Sequence, residues 1–213
     1  MKLAKHTGRP SEDRKREVVS RADAAVLMIG SAVVAAVTTV MSVVGIVGLL
    51  TGPATLTLPV DGGTRPSGSL GLGAEAHFSA VEATIPALPG TEAGLLAWAA
   101  VLTQVAVLAF LALLFLLAVR LRGAVLFTRG SVWVIGACGA AIAVAGTAGQ
   151  VLDALARTRL ADALGLNPDR IPGSVLFEGT ISLVPVVAGI ALIFIAGVFQ
   201  FGGRLQKDTE GLV

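Results

Sequence analysis

The ionisable residues of this 213-residue chain fall in clumps, separated by four uncharged stretches: Ala24 to Val60, Ala93 to Val119, Gly130 to Leu152 and Gly179 to Gly203. A helix crosses the hydrocarbon core of a bilayer with about 20 apolar residues rising about 1.5 Å each, and every gap is long enough. The first is overlong, and Gly52-Pro53 ends its helix. The second holds "GLLAWAAVLTQVAVLAFLALLFLLAV", with nine Leu, four Val and two Phe. Those fifteen side chains contribute about −5 to −9 kcal/mol toward insertion, enough to carry Gln104 with them. Composition agrees: 54% of residues are hydrophobic and 14% charged, against about 25% charged in a soluble domain. The expected fold is an all-α integral membrane protein, a four-transmembrane-helix bundle with spans over 24–51, 94–119, 131–152 and 179–201. The first span is nearly twice the length of a secretory signal core of about 7–15 residues, so it reads as a retained helix.

Lys and Arg set the expected orientation. Segment 1–23 carries Lys2, Lys5, Arg9, Arg14, Lys15, Arg16 and Arg21; the short loop 120–130 carries Arg120, Arg122 and Arg129; the tail 202–213 carries Arg204 and Lys207. The remaining loops, 52–93 and 153–178, hold only Arg65, Arg157, Arg159 and Arg170. By the positive-inside rule the first group is cytoplasmic, giving an N-in/C-in protein of the cell (inner) membrane. The preference for Arg over Lys, with abundant Ala, Gly and Val, points to a GC-rich bacterium. The lone Cys138 excludes an internal disulfide and a multi-cysteine metal site.

Both external segments carry pattern. In 52–93, alternation at Thr55-Leu56-Thr57-Leu58, and again around Phe78, Val81 and Ile85, suits either a small external β-hairpin of two or three strands or an ordered irregular loop. In 153–178, Leu155, Leu160 and Leu164 among Ala and charged residues suit an amphipathic extension of the third helix at the outer interface, halted by Asn167-Pro168. Small residues four apart on the third helix (Gly136/Ala140, Gly139/Ala143, Ala145/Gly149) form a groove for close helix packing or an oligomer contact. The Leu-rich second helix is then the one expected to face lipid. Pro185 is expected to kink the fourth helix, and Gly202-Gly203 to end it.

Polar residues at membrane depth are functional candidates by default. Gln104, Gln150 and Glu178 define a candidate polar path. The plainer account gives each Gln an interhelical hydrogen bond, and makes Glu178 a wet carboxylate in a first helical turn. His77 has no companion ligand for a metal, and Trp98 and Trp133 suit headgroup-level anchors. No phosphate loop, metalloprotease motif or nucleophile–His pair is present, so no enzyme and no cofactor is expected. The basic leader is interrupted by Glu12, Asp13, Glu17 and Asp23, so direct nucleic-acid binding is not expected and contact with the lipid bilayer is.

Two stretches carry a family likeness. "LRGAVLFTRGSVWVIG", with Gly123, Phe127, Thr128 and Gly136, and "GVFQFGGRLQKDTEGLV", with Phe199, Gly202, Leu205, Asp208, Glu210, Gly211, Leu212 and Val213, resemble a bacterial four-helix membrane family catalogued as domain of unknown function 2975. Leu126 stands where that pattern has Pro, and no Asn follows Thr128. The resemblance implies four helices, both ends inside and no established activity. It also implies a gene neighbourhood with a small helix-turn-helix regulator, which would suit a cytosolic protein partner.

The function expected from the sequence is therefore signalling or scaffolding through the cytosolic ends. Arg204, Lys207, Asp208, Glu210 and the apolar Val213 are the candidate partner contacts. The alternative is a small homo-oligomeric transporter or channel that uses the polar residues of helices two to four.

Overall fold

In the computed structural model, residues 21–60, 66–69, 75–77, 80–122, 129–166 and 181–210 are described. The elements run α1 (Arg21–Thr51), β1 (Ala54–Pro59), β2 (Pro66–Ser69), β3 (Glu75–His77), β4 (Ala80–Ile85), α2 (Gly90–Arg122), α3 (Arg129–Ala163) and α4 (Val184–Glu210). The protein is mostly helical, and all four helices are long and apolar enough to cross a membrane. It is not purely α. β1 pairs antiparallel with β4, from Ala54 opposite Ile85 to Pro59 opposite Ala80, and β2 pairs with β3. Of the two readings of this segment, the strands are present, as a nested pair of two-stranded sheets, and His77 lies in β3.

Helix order in space follows helix order in sequence. α2 packs on α1 and on α3, and α3 packs on α4. α2, the helix expected to face lipid, packs on both α1 and α3 and still leaves Trp98, Val105, Phe110, Leu114 and Leu117 exposed. α1 is the barest helix, with Val26, Ile29, Val33, Val37, Val40 and Val44 all exposed. Its inward stripe (Ala24, Met28, Ser31, Ala35, Thr38, Ser42) steps alternately by four and three residues. That spacing gives the shallow crossing typical of coiled-coil-like helix pairs. Apart from Met28 the stripe is small or hydroxylated, so α2 lies close against it.

α2, α3 and α4 meet at Leu113, Ile135 and Ala196, which are buried together with Phe199 packed alongside. The closest approach is between α3 and α4. A methyl group on Gly189 would stand 2.5 Å from the Gly139 carbonyl oxygen and 2.6 Å from the Ala143 side chain. Small residues that let backbones approach this closely are typical of helix pairs that associate in lipid.

α3 is one unbroken helix of 35 residues, about 52 Å long. The extension expected beyond residue 152 is present, running to Ala163. Its turns pack under β1, where Ala54, Leu56 and Leu58 meet Ala156, Leu160 and Ala161, with Leu96 of α2 closing the core. β1 alternates buried and exposed residues along Ala54–Leu58, as a half-buried strand must. α3 ends before Asn167-Pro168. Gly165, at φ 67°, takes the left-handed cap position, donating to the Asp162 carbonyl, while Leu166 donates to Ala161, both at 3.0 Å. This pairing is the Schellman motif, completed by Leu166 against the Leu160/Ala161 cluster.

Two further corrections concern α4. Residues 181–183 are not helical, and Pro185 sits in the first turn, where a missing N–H leaves nothing unsatisfied, so it starts the helix and makes no kink. At the other end, the backbone stays helical through Gly202-Gly203 to Glu210.

Candidate functional site

Each glutamine singled out by the sequence binds a neighbouring segment. Gln104 of α2 reaches α1: its Nε2 donates to Thr38 Oγ1 (3.2 Å) and Thr39 Oγ1 (3.0 Å), and its Oε1 accepts from Ser42 Oγ (2.9 Å). Both threonine hydroxyls donate to the Ala35 carbonyl, so they have only lone pairs to offer and the amide can sit one way round. All of the amide's donors are used. Gln150 of α3 makes a two-point clasp with the peptide of Ser182, accepting from its N–H at 2.7 Å and donating to its carbonyl at 3.3 Å. The Ser182 hydroxyl in turn accepts from the Val184 N–H, capping α4. Gln150 therefore positions the start of α4.

Both glutamines also border one cleft of about 420 Å³, where α1, α2 and α3 meet under β1. Its polar side is Ser42, Thr103, Gln104, Gln150, Asp153 and Arg157. Its apolar side is Leu49, Leu56, Leu96, Ala99, Ala100 and Gly149. At the sheet end, Arg157 Nε donates to Asp153 at 2.7 Å, one helical turn away on α3, and Nη1 donates to the Thr57 carbonyl of β1 at 3.0 Å. The same guanidinium thus joins α3 to the sheet. Glu178, the third residue of the expected path, lies outside the described residues, as does Val213.

The small residues of α3 divide by neighbour. Gly139 and Ala143 face Gly189 of α4; Gly136 lies against Ala196; Gly149 meets Ala99 and Thr103 of α2. Ala145 is buried and Ala140 exposed. Arg204, Lys207, Asp208 and Glu210 fall on the helical end of α4. Trp98 (64% exposed) and Trp133 (75%) stand out from α2 and α3. Sequence reasoning missed Thr38, Thr39 and Ser42, whose signal is a run of hydroxyls at helical spacing inside an uncharged span. It also missed Gly146 and Gly189. Gly146 packs on Pro185, where an added methyl would stand 2.7 Å from the ring.

No family model, curated protein or solved structure matches this chain.

Proposed function

We propose that this is a non-enzymatic, multi-pass protein of a bacterial inner membrane, with both termini in the cytoplasm and the sheets outside. In this reading it acts as a signalling or scaffolding partner through its cytosolic ends. The observation that carries it is α3: a single helix joins the buried core of the external cap to the basic loop at its far end. A rigid element packed at both ends transmits a displacement, whereas a broken one absorbs it. The helical end of α4 carries Arg204, Lys207, Asp208 and Glu210, a charged stretch of sequence for a soluble protein to recognise. The likeness to the 2975 family supports the same reading and favours a small helix-turn-helix regulator as that protein.

The test is crosslinking of the full chain in native membranes, beside a variant with residues 204–213 scrambled. A cytosolic protein captured by the first and lost with the second is expected. Capture of nothing above background removes the reading. A reporter active only outside the cell, fused after Val213, must stay dark.

A second reading, a small oligomeric transporter or channel, is favoured by one observation: Gln104 and Gln150 border the same cleft. Against it, both amides are engaged, Gln104 with α1 and Gln150 with the backbone of Ser182 ahead of α4. Solute flux in proteoliposomes that falls with Gln104→Ala and Gln150→Ala would establish it.

A further inference from the structure

α1 and α3 both pack on α2, yet they barely touch each other. The space between them is the 420 Å³ cleft, within the range of about 300–1,000 Å³ common for small-molecule sites. Ala99 and Ala100 of α2 and Gly149 of α3 line it with little bulk; Leu49, Leu96 and Leu56 add larger apolar side chains. Ser42 and Gln104 line it bonded to each other, and that amide has no donor left to solvate a polar guest. From Gln104 to Leu96 the α2 surface runs about 12 Å, long enough for a stretch of hydrocarbon chain.

The sheet end differs in character. Asp153 and Arg157 border it with side chains 40% and 32% exposed. A guanidinium has five N–H donors, of which Nε–H and one on Nη1 are used here. The other three, and the second oxygen of Asp153, have no partner among the described residues. The mouth thus displays one cation and one anion side by side with no net charge. A guest that matches it carries both signs on one head and a hydrocarbon chain below. An anionic head would meet Asp153 without compensation, and a fatty acid has no cation for it.

We propose that the cleft between α1 and α3 binds one bilayer phospholipid with a zwitterionic, amine-bearing headgroup. The phosphate lies toward Arg157, the ammonium toward Asp153, and an acyl chain over Ala99, Ala100 and Gly149. Entry is sideways, between α1 and α3, so the proposal rests on the membrane-embedded reading above.

The test uses the full chain in lipid nanodiscs doped with a phosphoethanolamine whose acyl chain carries a photoreactive diazirine, and with a matched phosphoglycerol probe. Adducts are mapped by mass spectrometry. Adducts concentrated at 42–49 and 96–104 are expected, with the amine-bearing probe ahead by about two- to fivefold, the scale of one partly exposed charge contact. Ala100→Leu lowers cleft labelling and Ala100→Phe lowers it further, while labelling on the outer face of α1 near Val33 and Val37 persists and reports that the protein remains embedded. Asp153→Asn removes the headgroup preference without emptying the cleft. Equal labelling by both probes, or cleft labelling indifferent to both Ala100 variants, overturns the proposal. Outer-face adducts without cleft adducts overturn it while leaving the embedded topology standing; absence of adducts anywhere removes both.

Discussion

Gly189 and Gly197 lie on the same helix, eight residues apart, and the structure gives them opposite fates. Around Gly197 nothing comes within 4 Å of an added methyl carbon. At Gly189 the same atom would stand 2.5 Å from the Gly139 carbonyl oxygen, 2.6 Å from the Ala143 methyl and 3.1 Å from the Ala143 nitrogen. Carbon atoms are at rest about 3.5–4.0 Å apart, so α3 and α4 must part by about 1 Å. A gap of that size forfeits about a quarter to a half of each dispersion contact along the seam. Gly→Ala also favours any helix by about 1 kcal/mol, and this gain is common to both sites. The difference between the two variants therefore isolates packing, and overpacking of this kind costs about 1–3 kcal/mol. Gly197→Ala should be neutral or stabilising, and Gly189→Ala should be the less stable of the two by that margin. Reversible unfolding in mixed micelles, with helicity followed against denaturing detergent fraction, reads the difference directly. If Gly189→Ala unfolds together with Gly197→Ala or later, the α3–α4 seam does not run through Gly139, Ala143 and Gly189, and the helix order described above fails with it.

Three other perturbations address different joints. Gln104→Leu removes three described hydrogen bonds between α1 and α2; at about 0.6 kcal/mol each it should cost about 1–2 kcal/mol, and a double-mutant cycle with Ser42→Ala should return a coupling near one such bond. Gly165→Ala places a side chain at φ 67°, which should cost about 1–2 kcal/mol and speed amide exchange in the last turn of α3, with Gly165→Asn milder. Asp153→Asn should cost under about 0.5 kcal/mol, since the pair is half exposed and one turn apart. Arg157→Met should cost more, because it also strips the donor from the Thr57 carbonyl; equal thermal shifts for these last two would show that the sheet does not depend on Arg157.

The helices were legible because four long uncharged stretches, each of the length a membrane-crossing helix needs, stand out from the charge clumps between them. The stops were harder. Asn167-Pro168 looks like the stronger terminator, yet Gly165 ends α3 because Leu166 can fold back onto Leu160 and Ala161 only if the turn comes there. Pro185 reads as a kink until Ser182 is recognised as the cap that precedes it. Gly202-Gly203 reads as an end, although each glycine weakens a helix by only about 1 kcal/mol, too little to force a stop. The pairing of Gln104 with Thr38, Thr39 and Ser42 joins positions more than sixty residues apart. Local pattern identifies Gln104 as a group in need of a partner; the register between two helices, which decides the partner, is fixed by packing along their whole length.

The two ways in which the helices are joined have unequal consequences. α3 and α4 interlock by shape, with glycine carbonyls where side chains would otherwise stand, and sliding either helix meets backbone at once. α1 is joined to α2 along a stripe of small and hydroxylated side chains, with the Gln104 cluster as its main polar bond, and to the cap through the short Gly52-Pro53 link into β1. On the membrane-embedded reading proposed above, apolar faces have no preference for one another over acyl chains, and the hydrogen-bonded helix is the one with alternatives. A swing of α1 about the Gln104 cluster would widen or narrow the cleft. Because β1 follows α1 directly and is held on its far side by Arg157 of α3, such a swing would strain the Arg157–Thr57 contact first, which places the sheet, the cleft and the long α3 helix in one mechanical chain.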